Sequence, residues 1–253
     1  MSVTTSPAAQ PEVQVQTQIQ TITSLQNGQY IPESVLNVSQ RHALLWGCQR
    51  GVNWHLAFER ITEISSGDAE IAQRQKTAIM NLNHENIARC IDVFTEDNAL
   101  YIAMVTGEGK PLAQRTEQIT TKGAVEIGIQ ICNALNYLSN HTEFISHGAI
   151  EPSTIFLTDG NRVKLTNQAA LLGIMPPSTE PDGARHDVFG VGATMHYALT
   201  HWTGNYRLEV PPLAELCANI SPELCAIITR ALAPNPADRW ANSAELRYAL
   251  LRI

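Results

Sequence analysis

The stretch that decides the fold runs from His147 to Ala169 and reads HGAIEPSTIFLTDGNRVKLTNQA. It contains two short apolar runs, TIFLT and RVKLT, on either side of Asp159 and Gly160. An Asp-Gly pair between two such runs is among the strongest short-range signals for a β-hairpin, because both residues suit a tight turn. The stretch therefore predicts two short strands joined by a turn.

The sequence on both sides of this hairpin is helical in pattern. Apolar residues recur at helical spacing over Lys122–Asn140, which precedes it. A proline-rich loop from Ile174 to Pro181 follows it. Helical patterns then resume in four segments: Asp187–Leu199, Leu213–Ala218, Pro222–Ala231 and Ser243–Leu251. The second part of the chain is therefore predicted to be mainly helical.

The first part of the chain is strand-rich. Strand-like runs are HLAFERI at 55–61, ARCIDVFT and ALYIAMV, and a turn at residues 96–98 joins the last two. One helix is predicted from Asp68 to about Leu82, with Ser66 or Asp68 as its N-cap. This order predicts an α+β fold with two lobes: a small β-rich N-lobe with one main helix, and a larger helical C-lobe.

The N-terminal segment differs from the rest in composition. Residues 1–27 are rich in Gln, Thr, Ser and Pro and contain no aromatic residue. Such a segment buries too little apolar surface to offset the entropy of ordering it, so we predict a disordered tail. The alternation VQVQTQIQ within it could instead pair as a strand with a partner. The predicted boundaries are a tail over 1–27, an N-lobe over about 28–106 and a C-lobe over about 107–253.

Five motifs occur in a recognisable order along the chain: LNHENI at 82–87, LYIAMV at 100–105, the stretch at 147–169, DVFGVGATMHYALT at 187–200, and PNPADRWANSAEL at 234–246. In this order they resemble the eukaryotic-like serine/threonine protein kinases, especially the bacterial members. The resemblance extends from about Gly28 to Ile253. It implies a two-lobed protein kinase-like fold.

The resemblance also assigns positions to the groups that transfer a phosphoryl group, and several of these positions are replaced. Glu59 stands at the place of the β3 lysine, and Gln75 stands at the place of the helix glutamate that pairs with it. A Glu59–Gln75 hydrogen bond is one hypothesis for how that helix would stay against the strand. Ala149 stands at the place of the catalytic aspartate and cannot accept a proton.

The positions implied to bind metal and phosphate are replaced as well. Thr154 stands at the asparagine place of the catalytic loop and Asn167 at the aspartate of D-F-G, so neither supplies charge for Mg²⁺. Glu151 stands where the family has a lysine, which is a second reversed charge, or alternatively a substitute base. The glycine-rich loop is matched by residues 38–43, which contain no glycine. Arg41 in that loop either contacts an anion or lies at a solvated hairpin tip.

Residues that the resemblance assigns to the scaffold are retained. It implies that His147 packs in the core of the C-lobe, that Asp187 caps amides of the catalytic loop, and that Arg239 keeps a structural role. Glu180 is implied to pair with Arg239. Three residues are candidates for lining an adenine pocket: Ala57, Met104 and Phe156. Phe156 is larger than the family residue and either packs in the core or narrows that pocket.

Composition restricts the function classes further. The formal net charge is −7 and the pI is about 5.6, which leaves no basic footprint for nucleic acid or an anionic membrane surface. The five cysteines include no C-x-x-C pair, which favours reduced thiols over a metal site. No apolar run reaches the roughly 18 residues of a membrane helix and no signal-peptide pattern is present, so we expect a cytoplasmic location.

These observations predict a pseudokinase, a catalytically inactive kinase-like domain that acts as a protein-binding or allosteric signalling module. We expect no cofactor and no metal, because the usual contacts to ATP and magnesium are replaced, and we expect a protein partner. Two alternatives stay open. One is a divergent serine/threonine kinase with residual phosphotransfer, and the other is a nucleotide or small-ligand sensor without catalysis.

Overall fold

The structure is a computed structural model that describes residues 22–39, 41–140, 146–174, 182–217 and 219–253. Its first part is a five-stranded antiparallel sheet with strand order β1-β2-β3-β5-β4. The strands are β1 (Tyr30–Val38), β2 (His42–Gln49), β3 (Val52–Thr62), β4 (Arg89–Glu96) and β5 (Ala99–Val105). β4 and β5 are joined as predicted by a tight turn, in which Asp97 and Asn98 both have positive φ.

One helix packs beside this sheet. It is α1 (Ser66–Met80), and its N-cap is Ser65 rather than the predicted Ser66 or Asp68. Asp68 instead takes the third helical position, where its carboxylate accepts a hydrogen bond from the Ser65 backbone N–H at 2.8 Å. The Ser65 hydroxyl in turn accepts from the Asp68 N–H at 3.1 Å. This reciprocal pair satisfies two backbone donors that the first turn of a helix leaves unpaired.

The second part of the chain is helical, with one small antiparallel sheet of order β6-β7-β8. Its strands are β6 (Lys110–Pro111), β7 (Ile155–Leu157) and β8 (Val163–Leu165). Its helices are α2 (Thr121–Ser139), α3 (Gln168–Leu171), α4 (Gly183–Thr200), α5 (Leu213–Leu216), α6 (Pro222–Ala231) and α7 (Ser243–Leu250). The predicted hairpin is confirmed as β7 and β8, and Gly160 in its loop has φ +73°. The α+β prediction is therefore correct.

Helix α4 forms the centre of the C-lobe, and its residues from Asp187 to Leu199 are all buried. Its surface approaches the loop that carries Ala149 very closely. A Cβ atom on Gly190 would lie 2.6 Å from the carbonyl oxygen of Ile150. Only glycine therefore allows the helix and this loop to pack at their observed distance.

The predicted boundary between tail and lobe is too late in the chain. Leu25 is only 2% exposed and pairs with Tyr30 through an isolated β-bridge. The backbone N–H of Gln26 donates to Glu96 Oε2 at 2.7 Å. Residues 22–27 therefore belong to the packed N-lobe, because an apolar side chain and a backbone donor both find partners there. The tail prediction for residues 1–21, including VQVQTQIQ, falls outside the described residues.

Two other predictions cannot be compared with the structure. The proline-rich loop falls outside the described residues from 175 to 181, and so does Glu180, the predicted partner of Arg239. In the ranges that the structure describes, none of the helices combines the length and the hydrophobicity needed to cross a bilayer.

Candidate functional site

Glu59 lies on β3 and reaches the start of α3 in the C-lobe. Its side chain is completely buried. Oε1 accepts a hydrogen bond from the Gln168 N–H at 2.7 Å, and Oε2 accepts from the Ala169 N–H at 2.8 Å. Burial raises the pKa of Glu59 to about 7, and the backbone amides oppose that shift. The carboxyl group therefore fastens the sheet to a segment more than 100 residues later in the chain.

The predicted hydrogen bond between Glu59 and Gln75 is not formed. Both carboxylate oxygens of Glu59 are engaged by backbone amides, and Gln75 Oε1 is buried without a hydrogen-bond partner among the described residues. Helix α1 is held against the sheet by Lys76, the residue that follows Gln75. Lys76 Nζ lies 2.8 Å from Asp92 Oδ1 and also donates to the carbonyl oxygen of Val93 at 2.8 Å. The helix is therefore fastened to β4.

Asn167 introduces α3 from an unusual backbone conformation. Its φ is 61° and its ψ is 52°, which lies in the left-handed region that asparagine tolerates better than most residues. This turn presents the N–H groups of the next two residues to Glu59. The Oδ1 atom of Asn167 is buried, and no described group donates a hydrogen bond to it.

A second buried carboxylate, Asp187, fixes the loop before β7. It accepts hydrogen bonds from the backbone N–H groups of His147 at 2.7 Å and Gly148 at 2.8 Å. Burial raises the pKa of Asp187 to about 6. The ring of His147 donates from Nε2 to the carbonyl oxygen of Thr166 at 2.9 Å, and burial lowers the pKa of His147 to about 4. This neutral histidine joins the loop to the end of β8, which is a structural contact.

The hydroxyl of Thr154 is used within the same loop. It lies 2.9 Å from the carbonyl oxygen of Ala149 and 3.0 Å from that of Glu151, and it accepts from the Glu151 N–H at 3.2 Å. The carboxylate of Glu151 accepts a hydrogen bond from the Ser153 hydroxyl. Ala149, Glu151 and Asn167 line one groove of about 670 Å³, so the structure brings these three predicted positions together.

The three candidates for an adenine pocket lie close together but are sealed by protein atoms. Ala57, Met104 and Phe156 are each 0% exposed. Ala57 pairs with Met104 across β3 and β5, and with Trp46 across β2 and β3. The Trp46 ring is nearly parallel to that of Phe156, with ring centroids 6.2 Å apart. Aromatic packing therefore occupies the space between the sheet and β7.

Trp46 is a site residue that the sequence did not predict. It also stacks on His55, with ring centroids 5.3 Å apart. Its position opposite Ala57 depends on the register of β2 against β3, and a slip of one residue would turn it to the other face. Leu44 and Trp46 lie two residues apart, which indicates that they share one face of a strand. This spacing does not determine how β2 is aligned with β3.

The two arginines that the sequence analysis singled out, Arg239 and Arg41, both donate hydrogen bonds to backbone carbonyl groups. Arg239 is 3% exposed and donates to the carbonyl oxygens of Ala233, Pro234 and Arg185 at 2.8 to 3.2 Å. Its predicted partner Glu180 lies outside the described residues. Arg41 donates from Nη2 to the carbonyl oxygen of Glu63 at 3.0 Å, which directs it toward the end of β3.

Comparisons with known proteins agree with this architecture. The family described as protein kinase domain matches residues 56–168. The serine/threonine-protein kinase PknB of Mycobacterium tuberculosis is 28% identical over 214 residues, which cover 68% of this chain and 34% of that protein. A probable serine/threonine-protein kinase of Clostridium perfringens is 32% identical over 243 residues, with coverages of 81% and 35%.

Solved structures show the same fold. The crystal structure of the Mycobacterium tuberculosis PknI kinase domain matches with a TM-score of 0.67 at 20% identity, covering 91% of this chain and 98% of that one. The fold and the site therefore define a protein kinase-like domain. The chain belongs to the eukaryotic-like serine/threonine protein kinase family, with bacterial relatives. It spans about a third of the length of the curated relatives it matches.

Proposed function

We propose that this chain is a catalytically inactive protein kinase-like domain that acts by binding a protein partner. The observation that carries the proposal is the environment of Glu59. By the family resemblance this position holds the lysine that neutralises phosphate charge, and here it holds a carboxyl group bound to two backbone amides. A carboxylate about 4 Å from a phosphate charge repels it by roughly 1–4 kcal/mol, for effective dielectrics between 80 and 20.

The positions assigned to the base and to the metal support the same proposal. Ala149 has no proton acceptor in its side chain. Asn167 offers a neutral amide where the family has a carboxylate, and the hydroxyl of Thr154 is engaged by carbonyl groups of its own loop. Mg²⁺ prefers charged oxygen ligands, so a bound nucleotide would lack the counter-charge that phosphoryl transfer depends on.

The packing at the adenine position gives a third line of support. Ala57, Met104 and Phe156 are fully covered by protein atoms, and the ring of Trp46 lies over Phe156. An adenine ring would have to displace aromatic contacts that are worth about 0.5–1.5 kcal/mol beyond the area they bury. Weak or absent ATP binding is the expected consequence.

A binding role is supported by what the chain retains. Asp187, His147 and Arg239 hold the C-lobe together and are not themselves among the residues that line the groove with Ala149. Selection for a folded surface would preserve such contacts while the phosphate and metal positions change. The predicted partner is a protein in a signalling assembly.

A second candidate function is residual phosphotransfer. It is favoured by the names of the relatives, which are serine/threonine kinases. In that case Glu151 would be the base, since it is the carboxylate that shares the groove with Ala149.

The test is a thermal-shift panel with ATP and ADP, each with and without Mg²⁺ or Mn²⁺, run beside transfer of radiolabelled phosphate from ATP. The proposal expects no transfer and no shift that depends on Mg²⁺ or Mn²⁺, while the PknB kinase domain serves as the positive control. Transfer that disappears in a Glu151→Ala variant would contradict the proposal and support the second candidate. A metal-dependent nucleotide shift without transfer would support a sensor instead.

A further inference from the structure

A separate groove of about 830 Å³ lies where the chain passes from the sheet into the C-lobe. Trp54 and Arg89 line it from the sheet, and residues 105–107 line it from the connection. Arg162 and Lys164 line it from the β7–β8 hairpin. None of the predicted site residues lines it. A ligand of ordinary small-molecule size fits such a volume, and here it would touch both lobes.

The groove concentrates positive charge in a chain whose net charge is −7. Three cations line it, Arg89, Arg162 and Lys164, against one acid, Glu85. The salt bridges within 4.0 Å that the described ranges contain involve other residues. The three cationic side chains also donate no hydrogen bond to any described group. The groove therefore holds an excess of two positive charges that no neighbour compensates at contact distance.

These charges act on one another. Burial lowers the pKa of Lys164, the charge of Arg162 acts in the same direction, and Glu85 opposes it. Holding Arg162 and Lys164 side by side costs electrostatic free energy, because like charges repel. A bound dianion would relieve that repulsion and would use the planar donor fork of the arginines.

Two uncharged features of the groove point to the remainder of the ligand. The Trp54 side chain is 49% exposed, an unusual position for a large aromatic ring, and it offers a face for stacking. Asn86 is only 4% exposed and also lines the groove. Its Oδ1 is buried and has no donor among the described groups, which leaves an unsatisfied acceptor in a residue that lines the groove.

We propose that this groove binds a phosphomonoester carried on a planar aromatic group, as in a nucleoside monophosphate. A phosphomonoester carries about −1.5 to −2 charges at neutral pH, which matches the two uncompensated positive charges. The proposal does not depend on whether the domain transfers phosphate, because it uses no residue of that site. By touching both lobes, the ligand would bias their relative position.

The test is isothermal titration of the purified chain with AMP, with inorganic phosphate and adenosine as separate arms. Saturable AMP binding is expected, tighter than either part alone. A double variant, Arg162→Gln with Lys164→Gln, should weaken AMP binding about tenfold or more, since two contact charges are lost. Trp54→Ala should weaken it about fivefold or more through lost stacking. Arg74→Gln removes an exposed cation elsewhere on the N-lobe and should leave binding unchanged.

The outcomes separate this groove from the cleft around Ala57. AMP bound in that cleft would not respond to the double charge change, so unchanged affinity in the double variant overturns the proposal. Absence of saturable AMP binding at millimolar concentration also overturns it. Inorganic phosphate binding as tightly as AMP would overturn the assignment of the aromatic part. Urea unfolding of each variant establishes that these changes on the groove surface leave the fold intact.

Discussion

Two buried carboxyl groups fasten this domain by the same chemistry in two different places. Asp187 accepts two backbone N–H groups within the C-lobe, and Glu59 accepts two from α3 across the lobes. The family resemblance implied the first fastening and not the second. The difference teaches that Glu59 has a role beyond the position that the resemblance assigns to it, because its carboxyl group makes a contact between the lobes.

The two carboxyl groups also differ in how far burial disfavours their ionised form. Burial raises the pKa of Asp187 to about 6 and that of Glu59 to about 7. Near neutral pH, Asp187 is therefore mostly ionised, whereas Glu59 is about half protonated. The charge of the fastening between the lobes therefore changes near neutral pH, whereas the charge of Asp187 changes at lower pH.

The largest effect is expected from Glu59→Lys, which restores the residue implied by the family. The new ammonium group would be buried without an acceptor and would face two N–H donors. We expect the free energy of unfolding to fall by about 3–5 kcal/mol, as when one partner of a buried charged contact is removed. Urea unfolding measures it, and Glu59→Gln, which keeps one acceptor, should lose less than half as much. Full stability together with new ATP binding in Glu59→Lys would show that the fastening is dispensable.

The next largest effect is expected from Asp187→Ala. The variant leaves the buried N–H of His147 and the partly buried N–H of Gly148 without an acceptor, and a fully buried unpaired donor costs about 1–3 kcal/mol. We expect a loss of about 2–4 kcal/mol in urea unfolding. Asp182→Ala is the matched control, because it removes an exposed carboxylate that accepts the Arg185 N–H at the start of the same helix. A loss in the control equal to that of Asp187→Ala would show that these two amides contribute little.

The sequence predicted the fastening at Asp187 and not the one at Glu59 for a physical reason. Asp187 lies in a motif whose local pattern survives, so the family resemblance transfers its contact. Glu59 meets amides of residues 168 and 169, and nothing local to β3 indicates which distant backbone donors will face it. The hypothesis of a Glu59–Gln75 contact reflected the spacing of the lysine–glutamate pair in the family, and it was wrong because backbone amides satisfy the carboxylate better than a neutral amide side chain.

The same limit applies to other elements of the fold. Strands β3, β4 and β5, helices α1, α2 and α4 to α7, and the β7–β8 hairpin followed from periodicity and from Asp159-Gly160, because these signals are local. Strands β1, β2 and β6 and helix α3 were not predicted individually. The packed segment around Leu25 was not predicted, because the composition of residues 1–27 is polar and one leucine does not change that composition. The stack of Trp46 on Phe156 was missed because it depends on strand register and on the docking of β7.

A pH titration of stability distinguishes the two carboxyl groups. The folded pKa of Glu59 lies near 7 against an ordinary value of 4.5, so the folded protein holds the extra proton between these values. Stability therefore falls as pH rises through that window. For Asp187 the window lies between 3.8 and about 6. From about pH 5 to about pH 8, we expect the wild type to lose about 2 kcal/mol more than Glu59→Gln, as an order of magnitude.

Urea unfolding at each pH provides the measurement. The part of the pH profile to which Glu59 does not contribute a difference serves as the internal control. Below about pH 6 both proteins should keep the slope that Asp187 contributes. Parallel profiles for the wild type and Glu59→Gln from pH 5 to pH 8 would mean that Glu59 stays ionised throughout, and that its fastening does not respond to pH in this range.

The smallest predicted effect concerns how α1 is held, since Glu59 does not hold it. Lys76 and Asp92 lie 2.8 Å apart, with side chains 29% and 21% exposed. A double-mutant cycle of Lys76→Met and Asp92→Asn should give a coupling of about 1 kcal/mol, at the upper end for surface pairs. The cycle cancels the separate contact of the Tyr30 hydroxyl with Asp92. The matched control is the more exposed pair of Lys122 and Glu126, 3.8 Å apart on α2, which should give about 0.3 kcal/mol. Equal couplings in the two pairs would mean that the Lys76–Asp92 ion pair contributes no more to holding α1 against β4 than an exposed surface pair does.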